Sequence, residues 1–267
     1  MTKLKSSNSF ANSKFTWEQQ EQINKGKELN LNVSIYDKPF YKATQMEQIR
    51  LGLQDNLAVS IYANPTINST QMEFIRLLLK GTSHSFECDM FDFSEESENI
   101  LKTNLLSIPK LSPYKDIDFS WLQLLFIYKG LQEDLNVNTY ADPRFSAEQM
   151  EQILLGLKKN LDVSIYADPK FDSEQMLQLR IGLELNLDVS IYADPKFDPD
   201  QMDQILEGLE KNLDASIYAK PEFNSNQMRL IQEGLEMGLD VSKYADPSIS
   251  WYKMVAIKQE LESAQTT

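Results

Sequence analysis

The sequence predicts an all-α solenoid, a superhelix of about ten 26-residue units that each pair a long helix with a short one. Three observations carry this expectation. Tyrosines recur every 26 residues at Tyr140, Tyr166, Tyr192, Tyr218 and Tyr244, and the same phase reaches back to Tyr36 and Tyr62. Methionine (Met46, Met72, Met150, Met176, Met202, Met228, Met254) and glycine (Gly26, Gly52, Gly130, Gly156, Gly182, Gly208, Gly234) keep that phase independently. A helix-capping residue opens nearly every unit.

The unit from Asp172 to Pro195 shows why each element forms. Met176, Leu179, Leu183 and Leu187 step by three or four, which gathers them on one helical face. Asp172 is an N-cap, and its place is taken elsewhere by Thr16, Asn68, Ser94, Ser120, Ser146, Asp198, Asn224 and Ser250, with Lys42 the exception. Gln175, three residues on, completes a capping box, and Pro199 falls at the first helical position of its unit, where proline is tolerated. At the far end, Asn30, Asn56, Asn160, Asn186 and Asn212 alternate with Gly238, the pattern of a left-handed residue just past a helix. The long helix is thus expected over about 173–185. Asp188 caps a short helix, Val189–Ala193, which Pro195 stops. Gly182 inside the long helix costs ~1 kcal/mol relative to alanine, and is read as the point of closest approach of a neighbouring helix.

In chain order, residues 1–9 read as a disordered leader, 10–262 as one repeat domain and 263–267 as a tail. The segment 77–113 is degenerate: glycine becomes Leu78 and Asn104, methionine becomes Glu98, and tyrosine becomes Cys88. Within it, residues 87–98 carry six acids and no base.

The formal charge is −14, from 40 acidic and 26 basic side chains, which disfavours binding to phosphate backbones and anionic lipid and favours a basic partner. No apolar run reaches the ~18 residues of a membrane span, and the single cysteine excludes an internal disulfide. The expectation is a cytoplasmic monomer with no cofactor and no metal.

Catalytic signatures are missing: no phosphate loop ending in Lys-Ser/Thr, no Gly-x-Ser-x-Gly, no His-Glu-x-x-His and no Cys-x-x-Cys. The one histidine, His84, reads as a loop residue, and Cys88, at a tyrosine position, as a buried thiol. Asp168 with Asp172, and Asp194 with Asp198, read as caps, since they lack the dense oxygen array of a calcium loop. No catalytic residue is therefore expected.

Function is sought where copies differ, at the positions of Ser173, Glu174, Leu177, Arg180, Ile181 and Glu184. Trp17, Trp121 and Trp251 all occupy the Ser173 position and are candidate anchors for a partner. Candidate acidic contacts are Glu95, Glu96 and Glu98 in the degenerate segment, and Asp200, Asp203, Glu207 and Glu210 in a regular one.

The step Val189-Ser190-Ile191-Tyr192-Ala193-Asp194-Pro195, followed by a capped helix, resembles the leucine-rich variant repeat, whose short and long helices alternate in a superhelix. This unit is slightly longer, has Ser190 where that family favours arginine, and has no N-terminal cysteine cluster such as some members carry. The string Tyr-Ala-Asp-Pro-Lys-Phe-Asp is also similar to repeats in uncharacterised proteins of Gram-positive mobile elements and phages. Two functional expectations follow. The first is a non-catalytic scaffold that binds a protein through one face of the superhelix. The second is an acidic nucleic-acid mimic that inhibits a restriction or CRISPR-type defence enzyme.

Overall fold

The computed structural model describes residues 14–82, 84, 88 and 90–265. The expected leader at 1–9 lies outside them, as does the end of the expected tail; residues 263–265 continue the last helix. The chain is an all-α solenoid, with no strand among the described residues. It divides into two compact bodies, Met1–Glu133 and Asp134–Thr267.

The C-terminal body is regular. Helices α6 (Ala147–Lys158), α7 (Ser173–Glu184), α8 (Pro199–Glu210), α9 (Ser225–Glu236) and α10 (Trp251–Gln265) each pack on the next. In the N-terminal body α1 (Trp17–Glu28), α2 (Ala43–Gln54) and α3 (Ser69–Lys80) stack in the same way, and α4 (Glu95–Leu106) packs on α5 (Trp121–Gln132).

Both helix ends are secured by groups the sequence names. Asp172 Oδ1 accepts from the Gln175 N–H at 2.8 Å, and Gln175 Oε1 accepts from the Asp172 N–H at 2.8 Å. At Lys42 half the box survives: Gln45 accepts from the Lys42 N–H at 2.9 Å, while the lysine side chain has no acceptor to return. Past the other end, Asn186 is left-handed (φ 57°), as are Asn30, Asn56, Asn160, Asn212 and Gly238. The Leu187 N–H then bonds the Gly182 carbonyl at 2.9 Å, and the Asn186 N–H bonds Leu183 at 3.1 Å, which satisfies two terminal carbonyls.

Two features depart from the sequence reading. The expected short helix is a single 3₁₀ turn, Val189–Ile191, opened by Asp188, whose Oδ1 accepts from the Ser190 N–H and hydroxyl. The glycine also has a different purpose. A Cβ on Gly182 would lie 2.2 Å from the Tyr192 hydroxyl and 2.6 Å from Val189 Cγ1, while the neighbouring helix's Leu206 Cδ1 is a comfortable 3.5 Å away. What approaches is the tyrosine of the turn that follows, not the next helix. Tyr192 is fully buried and donates to the Gln178 carbonyl at 3.3 Å, one turn before the glycine. Tyr36, Tyr62, Tyr166 and Tyr244 repeat this bond. Where tyrosine becomes Cys88, glycine becomes Leu78, which is wholly buried.

The capping glutamine has a further task. Gln175 Nε2 donates to the carbonyls of Pro195 (3.1 Å) and Phe197 (2.6 Å), in the loop leading to the next helix. Gln19, Gln45, Gln149, Gln201 and Gln227 do the same, each reaching residues 20 and 22 places on. One buried amide therefore caps its own helix and staples the following repeat.

The degenerate segment breaks the stack. Ser97 replaces the stapling glutamine of α4. Asn104 Nδ2 donates to the Ile61 carbonyl at 3.0 Å, so α4 lies against the turn Val59–Ile61 and makes Ile61 fully buried. Phe91 stacks on Phe74 (centroids 4.5 Å apart), and Phe93 packs against Trp121 (5.1 Å). Helix α5 is buried from Trp121 to Gly130, and even its Lys129 donates inward, to the Leu78 carbonyl at 2.8 Å.

Candidate binding face of the C-terminal body

With the glutamines, glycines, tyrosines and methionines committed to packing, the surface left for function is the solvent side of the long helices. In the C-terminal body this side carries three adjoining clefts. The first, about 330 Å³, lies between α7 and α8 and is lined by Gln178, Ile181, Asp203, Leu206, Glu207 and Glu210. The second, about 140 Å³, lies between α8 and α9 and shares Asp203 with the first. The third, about 260 Å³, lies between α9 and α10, shares Asn226 and Arg229 with the second, and is walled by Trp251 and Val255. Shared walls make these one furrowed face.

The predicted acidic contacts Asp200, Asp203, Glu207 and Glu210 follow one another at i, i+3, i+7 and i+10, a single stripe along α8. Lys211 pairs with Glu207 (2.7 Å) and also with Glu236 of α9 (2.5 Å). Asp200, Asp203 and Glu210 make no ion pair among the described residues. On α7, Glu184 differs. Partial burial pushes its pKa up, but hydrogen bonds from Lys159 and Arg180 prevail and hold its carboxyl below the usual range.

The tryptophans separate. Trp17 is 62% exposed at the start of α1, and Trp251 is 37% exposed and set edge-on to the exposed Tyr252, 5.2 Å away. Trp121 is 3% exposed, so the expectation of a partner-facing anchor fails there: it fills the aromatic core that the irregular segment builds with Phe93. Glu95, Glu96 and Glu98 are exposed in the first turn of α4, where the helix dipole favours carboxylates. Glu95 and Glu96 line a separate cleft of about 540 Å³ between α4 and Asn64. Of the predicted site residues, the structure gathers only the α8 stripe and Trp251 on one face.

His84 is exposed and Cys88 is half-buried rather than enclosed. Among the described residues no cluster of three or more His, Cys, Asp or Glu is placed to hold a metal ion, and no helix is long and apolar enough to cross a membrane.

Sequence reasoning missed the buried polar atoms under this face. Gln178 Oε1, Gln204 Oε1, the Tyr218 hydroxyl and both amide atoms of Gln232 are buried without a hydrogen-bond partner. For the glutamines the signal lies in pairs of residues 28 apart, a separation that hydrophobic periodicity does not examine. Comparison of the chain with family models, curated proteins and solved structures finds no match.

Proposed function

We propose that the chain is a non-catalytic repeat scaffold that binds a protein partner with a basic surface through the furrowed face of α7 to α10. The observation that carries this reading is the junction, on that one face, of three adjoining clefts, a stripe of carboxylates that is mostly unpaired and an exposed Trp251–Tyr252 pair. Exposed aromatics beside charge are the usual anchors of protein interfaces. The single cysteine agrees with a cytoplasmic protein.

The α8 stripe also favours a second reading, an acidic mimic of nucleic acid directed at a defence enzyme of the kind that mobile elements and phages meet. It has less support, because the stripe is bordered by Ile181 on α7 and by Arg229 on α9, which interrupt the charge. Affinity purification of the full chain from its own cell, washed at rising salt, separates the two. A scaffold partner anchored by aromatic and apolar contacts as well as by charge weakens only gradually as salt rises, whereas a mimic's target, held by charge alone, is released steeply. Loss of the partner on Trp251→Ala supports the scaffold; capture of no partner at either salt would remove both readings.

A further inference from the structure

The long helices hold an arginine cradle, built three times. Arg50 Nε donates to Gln22 Oε1 (2.9 Å), Arg76 Nε to Gln48 Oε1 (3.0 Å) and Arg180 Nε to Gln152 Oε1 (3.0 Å). Each arginine stands 28 residues after its glutamine, on the next helix. The rest of each guanidinium is held largely by its own helix. Arg50 meets Glu47 three residues before it and Gln54 four after. Arg76 meets Glu73 three before it, and also Asp55 on the preceding repeat. Arg180 pairs with Glu184 four after. An amide oxygen from one helix and acceptors at −3 or +4 on the next thus define the place of a guanidinium.

Between α7 and α8 the acceptors persist without the arginine. The glutamine is Gln178, and the residue 28 places on is Leu206, flanked at −3 by Asp203 and at +4 by Glu210. Gln178 Oε1 is buried with no hydrogen-bond partner, and these side chains line the same cleft. Most helices avoid this situation. Where no arginine follows, the glutamine position is Phe74, Ile100, Phe126 or Leu230; Gln204 is the second exception, its Oε1 also without a partner, but the residue 28 places on is Gln232, flanked at −3 by Arg229 rather than by a carboxylate. A buried amide oxygen left beside unpaired carboxylates is costly unless something donates to it.

The chemistry of the donor is constrained. Asp203 and Glu210 are seven residues apart, about 10 Å along the helix, too far for one metal ion to ligate both. A guanidinium offers five N–H donors in a plane and spreads its charge, so it serves an amide oxygen and carboxylates together; an ammonium is a compact point charge. Leu206, 5% exposed, and Ile181 supply the apolar floor on which the arginine's methylenes would lie. The geometry points to this cleft as the docking site for an arginine side chain of a basic partner segment, standing where Arg50, Arg76 and Arg180 stand in their own repeats. The inference rests on the scaffold reading above and names the partner chemistry for that face.

The test is an NMR titration of the isotope-labelled full chain with Nα-acetyl-arginine methylamide, and in parallel with its lysine counterpart. The arginine amide shifts the signals of Gln178, Ile181 and Leu206, the lysine amide shifts them less, and signals around the filled cradles of Arg50 and Arg76 stay in place. Asp203→Asn with Glu210→Gln, both at the surface, weakens the arginine amide about tenfold. Leu206→Arg supplies the side chain internally, raises the melting temperature and abolishes the response. No shift at α7 and α8, an equal response to lysine, or a response that survives Leu206→Arg in a folded protein overturns the inference. Should Leu206→Arg not fold, the carboxylate variant decides alone, and unchanged affinity overturns it. A cellular partner whose capture is indifferent to Leu206→Arg removes the arginine site but leaves the scaffold. A probe response with no partner captured leaves the site and removes the scaffold.

Discussion

Replacing Gln175 by glutamate changes one NH₂ to an oxygen and should cost as much as a core truncation. Gln175 is 5% exposed, and its Nε2 supplies both bonds to the Pro195 and Phe197 carbonyls. In Gln175→Glu the capping bond from the Asp172 N–H to Oε1 remains, but the second oxygen faces two carbonyls with no proton to offer. Two bonds worth about 1 kcal/mol each are lost and a buried carboxylate is left against negative dipoles, about 3–4 kcal/mol in all at pH 8. Burial and the two carbonyls favour the protonated acid, so the folded-state pKa lies above the ~4.3 of an unfolded glutamate. The sign follows. A raised folded pKa gives stability that is complete below the unfolded value and lost as pH rises through the folded one, because the protonated acid donates one of the two missing bonds. Gln175→Met, which has neither the bonds nor the charge, is the pH-independent control. Urea unfolding by circular dichroism at roughly pH 5.5 and pH 8, with hydrogen exchange in the 194–197 loop, reads the effect. A glutamate variant within about 0.5 kcal/mol of wild type at pH 8, or a loss that matches methionine at both pH values, would refute the staple.

Gly182→Ala should destabilise by about 2–4 kcal/mol, since its Cβ would overlap the Tyr192 hydroxyl; Tyr192→Phe in the same chain should recover part of that loss, and additive effects would show that the two do not meet. Asn186→Ala should lower stability by about 1 kcal/mol and Asn186→Gly by little, because φ of 57° is strained only for a residue with an ordinary Cβ; thermal melts compare them. Burial raises the pKa of the ladder tyrosines, to about 12 for Tyr218 and Tyr244. These phenols add stability that is full below pH ~10, their unfolded pKa, and lost toward 12. Tyrosinate absorbance should therefore rise together with loss of helix in alkali, and gradual ionisation within a folded chain would contradict it.

The repeat was legible because it rests on local chemistry. Caps, left-handed asparagines and the methionine–leucine face are each set by residues within one turn, and the structure reproduces them. The staple was only half legible: the bond of Gln175 to Asp172 lies three residues away, but those to Pro195 and Phe197 lie in a loop whose path the sequence does not give. The cost of the glycine is legible in the sequence but its cause is not, because the tyrosine that approaches it lies ten residues on, in the following turn. Trp121 was misread because position in the repeat implied exposure. Phe93 of the irregular segment packs against it and encloses it. On the candidate face, the acidic stripe followed from spacing alone, whereas the stranded oxygen of Gln178 emerged only when each glutamine was matched to the residue on the next helix.

The central claim is that faithfully repeated residues build the repeats while function lies on the variable face of α7 to α10. Hydrogen exchange of the full chain, free and with its captured partner, tests this most directly. Protection should concentrate in peptides covering 177–184, 200–210 and 226–233, and should disappear with Asp203→Lys and Glu210→Lys in a protein of unchanged melting temperature. Protection confined to α1–α4, or to the turns carrying the tyrosine ladder, would contradict it.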